Sequence, residues 1–237
     1  MIKLFRKIRQ NLLMENKTSK YFKYAIGEIV LVVIGILIAL QINNWNEVLK
    51  AKKFEQEIIG LIDQNLEQDS IAMSKELFSA KLAIQLTDSL LSQVSRKIYT
   101  SNLDNWMGKI ICFERFKSQS SAFEVLKSKG IEFISNNELQ LSLISYYDES
   151  LFKVYESLQD VEDSFQTDWN PVIKEDFLDF KWKDFCVPTN SKNFFEKPST
   201  IVLFKIYRDN RNGTVNSITS SLKKLSEIRM QIRKNKT

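Results

Sequence analysis

The chain has 237 residues, of which 43% are hydrophobic and 27% charged, and its formal net charge is +5. It contains no histidine, which excludes Ser-His-Asp and Cys-His nucleophile systems and imidazole-based zinc sites. Its six glycines are too scattered to form a Gly-rich phosphate loop. The composition therefore argues against most enzyme classes, and no residue pattern predicts a cofactor or a metal.

An apolar segment at 24–42 is the strongest signal in the sequence. At a helical rise of ~1.5 Å per residue it spans roughly the ~30 Å hydrocarbon core of a bilayer. Its one charged residue, Glu28, costs at most about 3 kcal/mol, and the Ile, Leu and Val residues outweigh that cost. The segment is predicted to be a transmembrane helix. A signal peptide is the alternative, but no small-x-small cleavage site follows Leu40.

The charges around the span predict its orientation. Residues 1–23 hold seven of the 34 Lys and Arg but one of the 29 Asp and Glu, so the rest of the chain is nearly balanced. This basic segment is predicted to be cytoplasmic or to lie at the inner membrane interface. The remainder is then outside the cytoplasm, and a nucleic-acid partner is disfavoured.

Small residues within the span predict a contact with another helix. They lie on a strip that repeats every four residues and lets helices approach closely. Its members are Gly27, Leu31, Gly35 and Ala39, of which all but Leu31 are small. Glu28 borders this strip, where it could contribute to assembly, extend to the inner interface, or belong to a proton pathway. Trp45 fits the outer aromatic belt. Partners are therefore expected to be the bilayer and either further copies of the chain or another membrane protein.

The segment from Tyr24 to Glu47 resembles a bacterial family, domain of unknown function 6090, and the segments 122–130 and Tyr146-Tyr147 are similar to further parts of it. The resemblance implies a single-span protein with no agreed catalytic residues. Together with the charge bias, the bacterial resemblance predicts placement in the inner membrane, with the N-terminus in the cytoplasm and the C-terminal domain in the periplasm.

Residues 43–98 are predicted to continue the span as one long helix, with a possible break near Gly60. Apolar and small residues recur at alternating steps of three and four residues, as in a coiled coil. The stripe consists of Leu66, Ser70, Met73, Leu77, Ala80, Ile84, Thr87, Leu91, Val94 and Ile98. Its partner is either the later helices of the same chain or a second subunit.

Residues 99–237 are predicted to form a helical extracytoplasmic domain that packs on the long helix. After an irregular connector at 99–118, capping boxes at Ser121/Glu124 and Ser135/Glu138 predict two helix starts. The predicted helices cover 122–129, 136–167, 200–211 and 215–234. Gly130, the Asp168–Pro171 turn and Gly213 are expected to separate them.

Aromatic residues between 171 and 198 form a possible recognition surface, because connecting segments often carry function. Its members are Phe177, Phe180, Trp182 and Phe185. The alternative is a loop that closes the bundle. Two acidic groups, Asp176/Asp179 and Asp160/Glu162/Asp163, have the spacing of an acid/base pair or a cation site, although charged helix faces share it.

Cys112 and Cys186 are the two cysteines. An oxidising compartment would permit a disulfide between them, while buried free thiols are the alternative.

The sequence thus predicts an all-α fold with an N-terminal transmembrane helix that continues into a long helix, and an extracytoplasmic helical bundle. The expected function is that of a membrane-anchored binding or scaffold protein, oligomeric or an accessory subunit of an envelope complex. A helical ligand-sensing domain that signals through a partner and a hydrolase using carboxylates alone are the alternatives.

Overall fold

The computed structural model describes residues 18–234, with side chains from residue 22 onward. Residues 1–17 of the predicted basic segment 1–23 therefore lie outside the described residues. The chain divides into two compact units, one that ends at Phe54 and one that begins at Glu55. Both are largely helical, which confirms the all-α fold class.

The longest element is helix α1, Thr18–Ser95. Within the first unit, most side chains of the apolar segment 24–42 are exposed, as expected for residues that face lipid. The helix runs through Gly60 without a break, so the reservation about a break there was wrong. The single span and the long helix predicted to follow it are thus parts of one element.

Helix α1 ends three residues earlier than predicted. Lys97 takes the left-handed conformation, with a φ of 58°. The Ile98 amide then donates to the Gln93 carbonyl at 3.0 Å, which is the hydrogen bond of a Schellman cap. Ile98 is consequently exposed and does not belong to the buried stripe.

Every second member of the predicted stripe on α1 is buried, and the members between them are not. Five of its members are buried as expected: Leu66, Met73, Ala80, Thr87 and Val94. The other half is shifted by one residue towards the N-terminus and consists of Ile62, Asp69, Glu76, Ala83 and Leu90. Ser70, Leu77, Ile84 and Leu91, predicted for these places, are only half-buried.

The stripe packs within the chain. Ion pairs join α1 to the last helix, α8 (Pro198–Lys234). Among them, Arg208 Nε lies 2.7 Å from Asp88 Oδ1, and Arg229 Nε lies 2.8 Å from Asp63 Oδ1. Leu90 and Val94 of α1 share a hydrophobic cluster with Phe204 and Tyr207 of α8. In the second unit, the stripe therefore packs against later helices of the same chain, which is one of the two predicted alternatives.

The connector predicted at 99–118 contains helix α2, Asn102–Ile110, and lacks regular secondary structure after it. Helix α3, Ser121–Lys129, ends at Gly130 as predicted, and Gly130 has a φ of 119°. Neither predicted capping box forms. The Ala122 amide instead donates to Asn65 Oδ1 on α1 at 3.3 Å, and Asn136 caps the next helix through the Leu139 amide at 3.0 Å.

One continuous helical stretch follows a short 3₁₀ turn at Ile131–Phe133. It consists of α4 (Asn137–Ile144), a π-helical turn (Ser145–Ser150), α5 (Leu151–Ser164), a second π-helical turn (Phe165–Trp169) and α6 (Asn170–Asp176).

The stretch continues past Pro171, where the sequence predicted its end. In the second π turn the Asn170 amide donates to the Phe165 carbonyl, five residues earlier. A helix widened in this way accommodates a proline ring that would clash with a carbonyl of a regular α-helix. The rule that proline ends the helix was therefore wrong here.

A small hairpin follows, with strands β1 (Phe177–Lys181) and β2 (Phe185–Pro188) antiparallel and Phe180 opposite Cys186. Helix α7, Ser191–Glu196, leads into α8. The predicted separation at Gly213 was wrong, because α8 passes through it. Glycine costs about 1 kcal/mol relative to alanine inside a helix, and burial of residues on both sides of it offsets that cost.

Gly108 on α2 is required by close packing against the hairpin. A Cβ at this position would lie 2.7 Å from the carbonyl oxygen of Asp184 and would also overlap the backbone at Phe185. Gly213 differs, since nothing lies within 4 Å of a Cβ built there. The two glycines form a matched pair for testing the packing of the second unit.

We expect Gly108→Ala to lower the free energy of unfolding by about 1–3 kcal/mol, because the hairpin backbone must move. Gly213→Ala should raise it by about 0.5–1 kcal/mol through helix propensity. Urea unfolding of the full chain in detergent micelles, followed by near-ultraviolet circular dichroism, measures both. Equal effects of the two substitutions would contradict the α2–hairpin contact.

Candidate functional site

The chain between α2 and α3 includes a strap without regular secondary structure, defined here as residues 112–119. Backbone groups outside helices and sheets need other partners, and the strap finds them on side chains. The Ser118 amide donates to the Tyr155 hydroxyl at 3.0 Å, and the Gln119 amide to Asp69 Oδ1 at 2.8 Å. At the other end Arg211 donates to the Cys112 carbonyl. Side chains of α1, α5 and α8 therefore hold the strap.

Asp69 anchors one end of the strap from inside the core. It is 1% exposed, and besides the Gln119 amide it accepts hydrogen bonds from the Ser118 hydroxyl and, at 3.0 Å, from the Tyr146 hydroxyl. A buried carboxylate is tolerated when donors surround it in this way. Burial and the neighbouring Asp69 raise the pKa of Tyr146, which keeps that hydroxyl protonated as a donor.

Glu76 and Arg211 form a second buried anchor, with Arg211 Nη1 3.3 Å from Glu76 Oε1. Their side chains are 4% and 3% exposed. The guanidinium also lies over the Tyr207 ring, 5.5 Å from its centroid. Burial raises the pKa of Glu76 to about 7, against the opposing effect of the Arg211 charge. Within the described residues, Glu76 Oε2 and Arg211 Nε have no hydrogen-bond partner.

The outer side of the strap carries two solvent-facing ion pairs. Glu114 pairs with Lys183 of the hairpin, and Arg115 pairs with Glu162 of α5, with Nε 3.1 Å from Oε2. Exposed pairs contribute little stability, roughly 0–1 kcal/mol each. Two clefts flank the strap, one beside α1 and one beside α5. Because Glu114 and Arg115 already have ion-pair partners, their charges are neutralised within these clefts.

The aromatic residues predicted as a possible recognition surface lie on and beside the hairpin. Trp182 is 37% exposed and meets Phe113 and Phe165 edge-on, each with a centroid distance of 5.1 Å. Phe177 and Phe180 pack against the central hydrophobic cluster, and Phe185 is half-buried. The segment is a hairpin and not a loop, and most of these aromatic rings pack against other residues of the second unit.

Both cysteines are free thiols in the structure. Cys112 is half-buried at the start of the strap, and its thiol donates to the Lys109 carbonyl at 3.2 Å. Cys186 is buried in β2, where burial raises the pKa of its thiol to about 12. Of the two free thiols, Cys186 is thus buried and Cys112 only half-buried.

The residues predicted for membrane contact and assembly lie on the first unit. Leu31 and Trp45 are 62% and 65% exposed, and nothing lies within 4 Å of a Cβ built at Gly27 or Gly35. Ala39 is exposed, and Glu28 is half-buried. This face of the apolar segment is therefore not covered by other described residues.

The predicted acidic groups are engaged in surface contacts. Lys197 Nζ lies 2.7 Å from Asp176 Oδ1, and Asp163 accepts from the Gln159 side chain at 2.6 Å. Asp179 accepts from the Phe180 amide at 2.8 Å. In the part of the chain that the structure describes, no group of three or more acidic, cysteine or histidine side chains could hold a metal ion.

Sequence reasoning missed Asp69, Glu76 and Arg211, which are the buried charges of the site. A signal was present: Ile62, Asp69, Glu76, Ala83 and Leu90 repeat every seven residues beside the predicted half of the stripe. Two acids in an otherwise apolar repeat indicate that their partners are buried as well. This signal was obscured because mostly apolar residues also occur one position later in each repeat.

These features define a predominantly helical protein, and the described residues include one helix long and apolar enough to cross a membrane. The sequence model of a protein family, described as Family of unknown function (DUF6090), matches residues 28–162. Because this is more than half of the chain, the chain belongs to that family. The resemblance seen in the sequence is thereby confirmed. Neither the curated proteins nor the solved structures gave a match to the chain.

The raised pKa of Glu76 predicts how stability changes with pH. Because the folded-state pKa of about 7 exceeds the ordinary 4.5, the stabilisation is complete below the ordinary value and is lost as pH rises through 7. The free energy of unfolding should fall between about pH 5 and pH 8, by at most on the order of 3 kcal/mol.

Urea unfolding of the full chain in micelles at the two pH values measures this loss. Glu76→Gln should remove that part of the pH dependence, whereas Glu156→Gln, at an exposed position on α5, should leave it intact. If the wild type and Glu76→Gln change identically with pH, Glu76 is not the group responsible.

Proposed function

We propose that this protein is a single-span protein of the bacterial inner membrane whose helical second unit acts by binding, in an oligomer or as an accessory subunit of a membrane complex. The observation that carries the proposal is the exposed apolar segment 24–42 on α1. Such a segment is costly in water and stable in lipid, because transfer of apolar surface out of water is favourable. The same helix supplies the core stripe of the second unit.

The proposed orientation places the N-terminus in the cytoplasm and the second unit in the periplasm. It is supported by the excess of Lys and Arg in residues 1–23, which the positive-inside rule retains on the cytoplasmic side. Trp45 supports it further, since an exposed indole just after the span suits the outer interface.

A binding role is favoured over carboxylate chemistry by how the acids are used. Asp69 is surrounded by three donors, and the surface acids Glu162 and Asp176 pair with Arg115 and Lys197. A general acid or base must instead reach a substrate proton directly. These three acids contribute to holding the strap and the helix ends in place.

An interface in the span is supported by the open strip of small residues. A second helix could approach closely along Gly27, Gly35 and Ala39, where the helix backbone is least shielded. We propose that this strip is the first contact of the oligomer or of the partner subunit. The acid beside it, Glu28, would then face protein in place of lipid.

Purification in mild detergent with native mass measurement tests the assembly. We expect a species containing two or more chains, or the chain with a stoichiometric membrane protein. Gly35→Leu should reduce that species about tenfold by separating the helices. Val33→Leu, on the opposite side of the span, is the control and should leave it unchanged. A wild-type chain that is monomeric and brings nothing with it would contradict the proposal.

The orientation has its own test, in intact spheroplasts that carry the chain with an N-terminal epitope. Protease added from outside should digest the region after Glu55 and leave the epitope protected. The same treatment after detergent lysis is the control and should remove both. Protection of the second unit in intact cells would contradict the proposed topology.

A further inference from the structure

A cleft lies between α1 and the strap and is lined by Ala72, Lys75, Glu76, Glu114, Arg115 and Phe116. Its volume of about 200 Å³ is below the roughly 300–1,000 Å³ of sites for drug-sized ligands, so it admits only a small molecule. We call it the α1–strap cleft. It belongs entirely to the second unit, and its chemistry goes beyond the membrane-anchoring and assembly roles proposed above.

Most charges of the α1–strap cleft are neutralised by partners that are already present. Glu114 pairs with Lys183, and Arg115 pairs with Glu162. Arg211 reaches Glu76 from behind, through Oε1. These pairs leave two groups of the cleft unused, one acceptor and one cation.

The unused acceptor is Oε2 of Glu76. This residue is 4% exposed and lines the cleft, and among the described residues no donor reaches that oxygen. A buried acceptor without a donor carries an unfavourable desolvation free energy that a bound donor would relieve. The site therefore favours a ligand with an N–H group, above all an ammonium group, at a pH above the Glu76 pKa of about 7, where the acceptor is a carboxylate.

The unused cation is Lys75, one residue before Glu76 on α1. It is exposed, and it has no ion-pair partner within the described part of the chain. Its ammonium group would repel a simple amine that approached Glu76, but it would attract a ligand that carries an anion beside its amine. The remaining walls, Ala72 and Phe116, offer apolar contact for a short aliphatic group.

We propose that the α1–strap cleft binds a small zwitterion of the α-amino-acid type. Its ammonium group donates to Glu76 Oε2, its carboxylate pairs with Lys75, and its side chain lies against Ala72 and Phe116. Binding in this position links α1 to the strap, and thereby joins the two elements that Asp69 and Arg211 already hold together.

Three probes that share a three-carbon skeleton separate the two charges: alanine, propylamine and propionate. Isothermal titration calorimetry of the full chain in detergent micelles should give one bound alanine per chain. Propylamine should bind about tenfold or more weakly, and propionate should give no signal, since it cannot use the buried carboxylate. Valine and leucine extend the series towards a larger side chain.

Variants then assign the charges. Glu76→Gln should weaken alanine binding about tenfold or more, and Lys75→Gln should weaken alanine while leaving propylamine no weaker. Glu156→Gln and Lys81→Gln, at exposed positions outside the cleft, are the matched controls and should change nothing. Ala72→Leu should abolish binding by filling the cleft without altering a charge.

Two results would overturn the proposal: no binding of alanine, valine or leucine to the wild type, or equal binding to the wild type and the Lys75→Gln chain. Lys75 is exposed, so this second result is interpretable even if Glu76→Gln impairs folding. Because these measurements do not depend on orientation or oligomeric state, they remain decisive if the proposed membrane role fails.

Discussion

Two acids within an apolar stripe are the constraint on which the second unit depends. Asp69 and Glu76 lie one heptad apart on α1, and both are almost completely buried. Each would destabilise a hydrophobic core unless it were paired. The strap provides partners for Asp69, and Arg211 of α8 pairs with Glu76. The helix and the strap therefore satisfy each other, since the strap has no backbone ladder of its own and the acids need buried donors.

This mutual dependence explains the register of α1. Packing of apolar residues alone would favour Leu77, Ile84 and Leu91 in the stripe, as the sequence predicts. The structure instead buries the neighbours of these residues, because that rotation directs Asp69 towards the strap and Glu76 towards Arg211 of α8. Polar contacts here decide against the more hydrophobic of the two faces. The aromatic cluster of the hairpin then packs beside the strap, with Trp182 against Phe113.

The parts of the fold that local chemistry determines could be predicted from the sequence: the apolar span, the stop at Gly130 and the helical stretch that begins near residue 136. The parts that tertiary contacts determine could not. A π turn carries the chain past Pro171, and α8 tolerates Gly213. The hairpin forms where only a connector was expected. Of the candidate site, the strap was foreseen as irregular chain, but its anchors lie up to 99 residues away in sequence, and no local pattern connects them.

Amide hydrogen exchange in the strap tests most directly whether side chains from α1 hold it. The account predicts that the Gln119 amide is protected in the wild type, and that Asp69→Ala accelerates its exchange about tenfold or more while amides within α5 keep their protection. Gln68→Ala, at the exposed neighbouring position of α1, is the control and should leave the strap protected. An unprotected Gln119 amide in the wild type, or unchanged exchange in Asp69→Ala, would contradict the account.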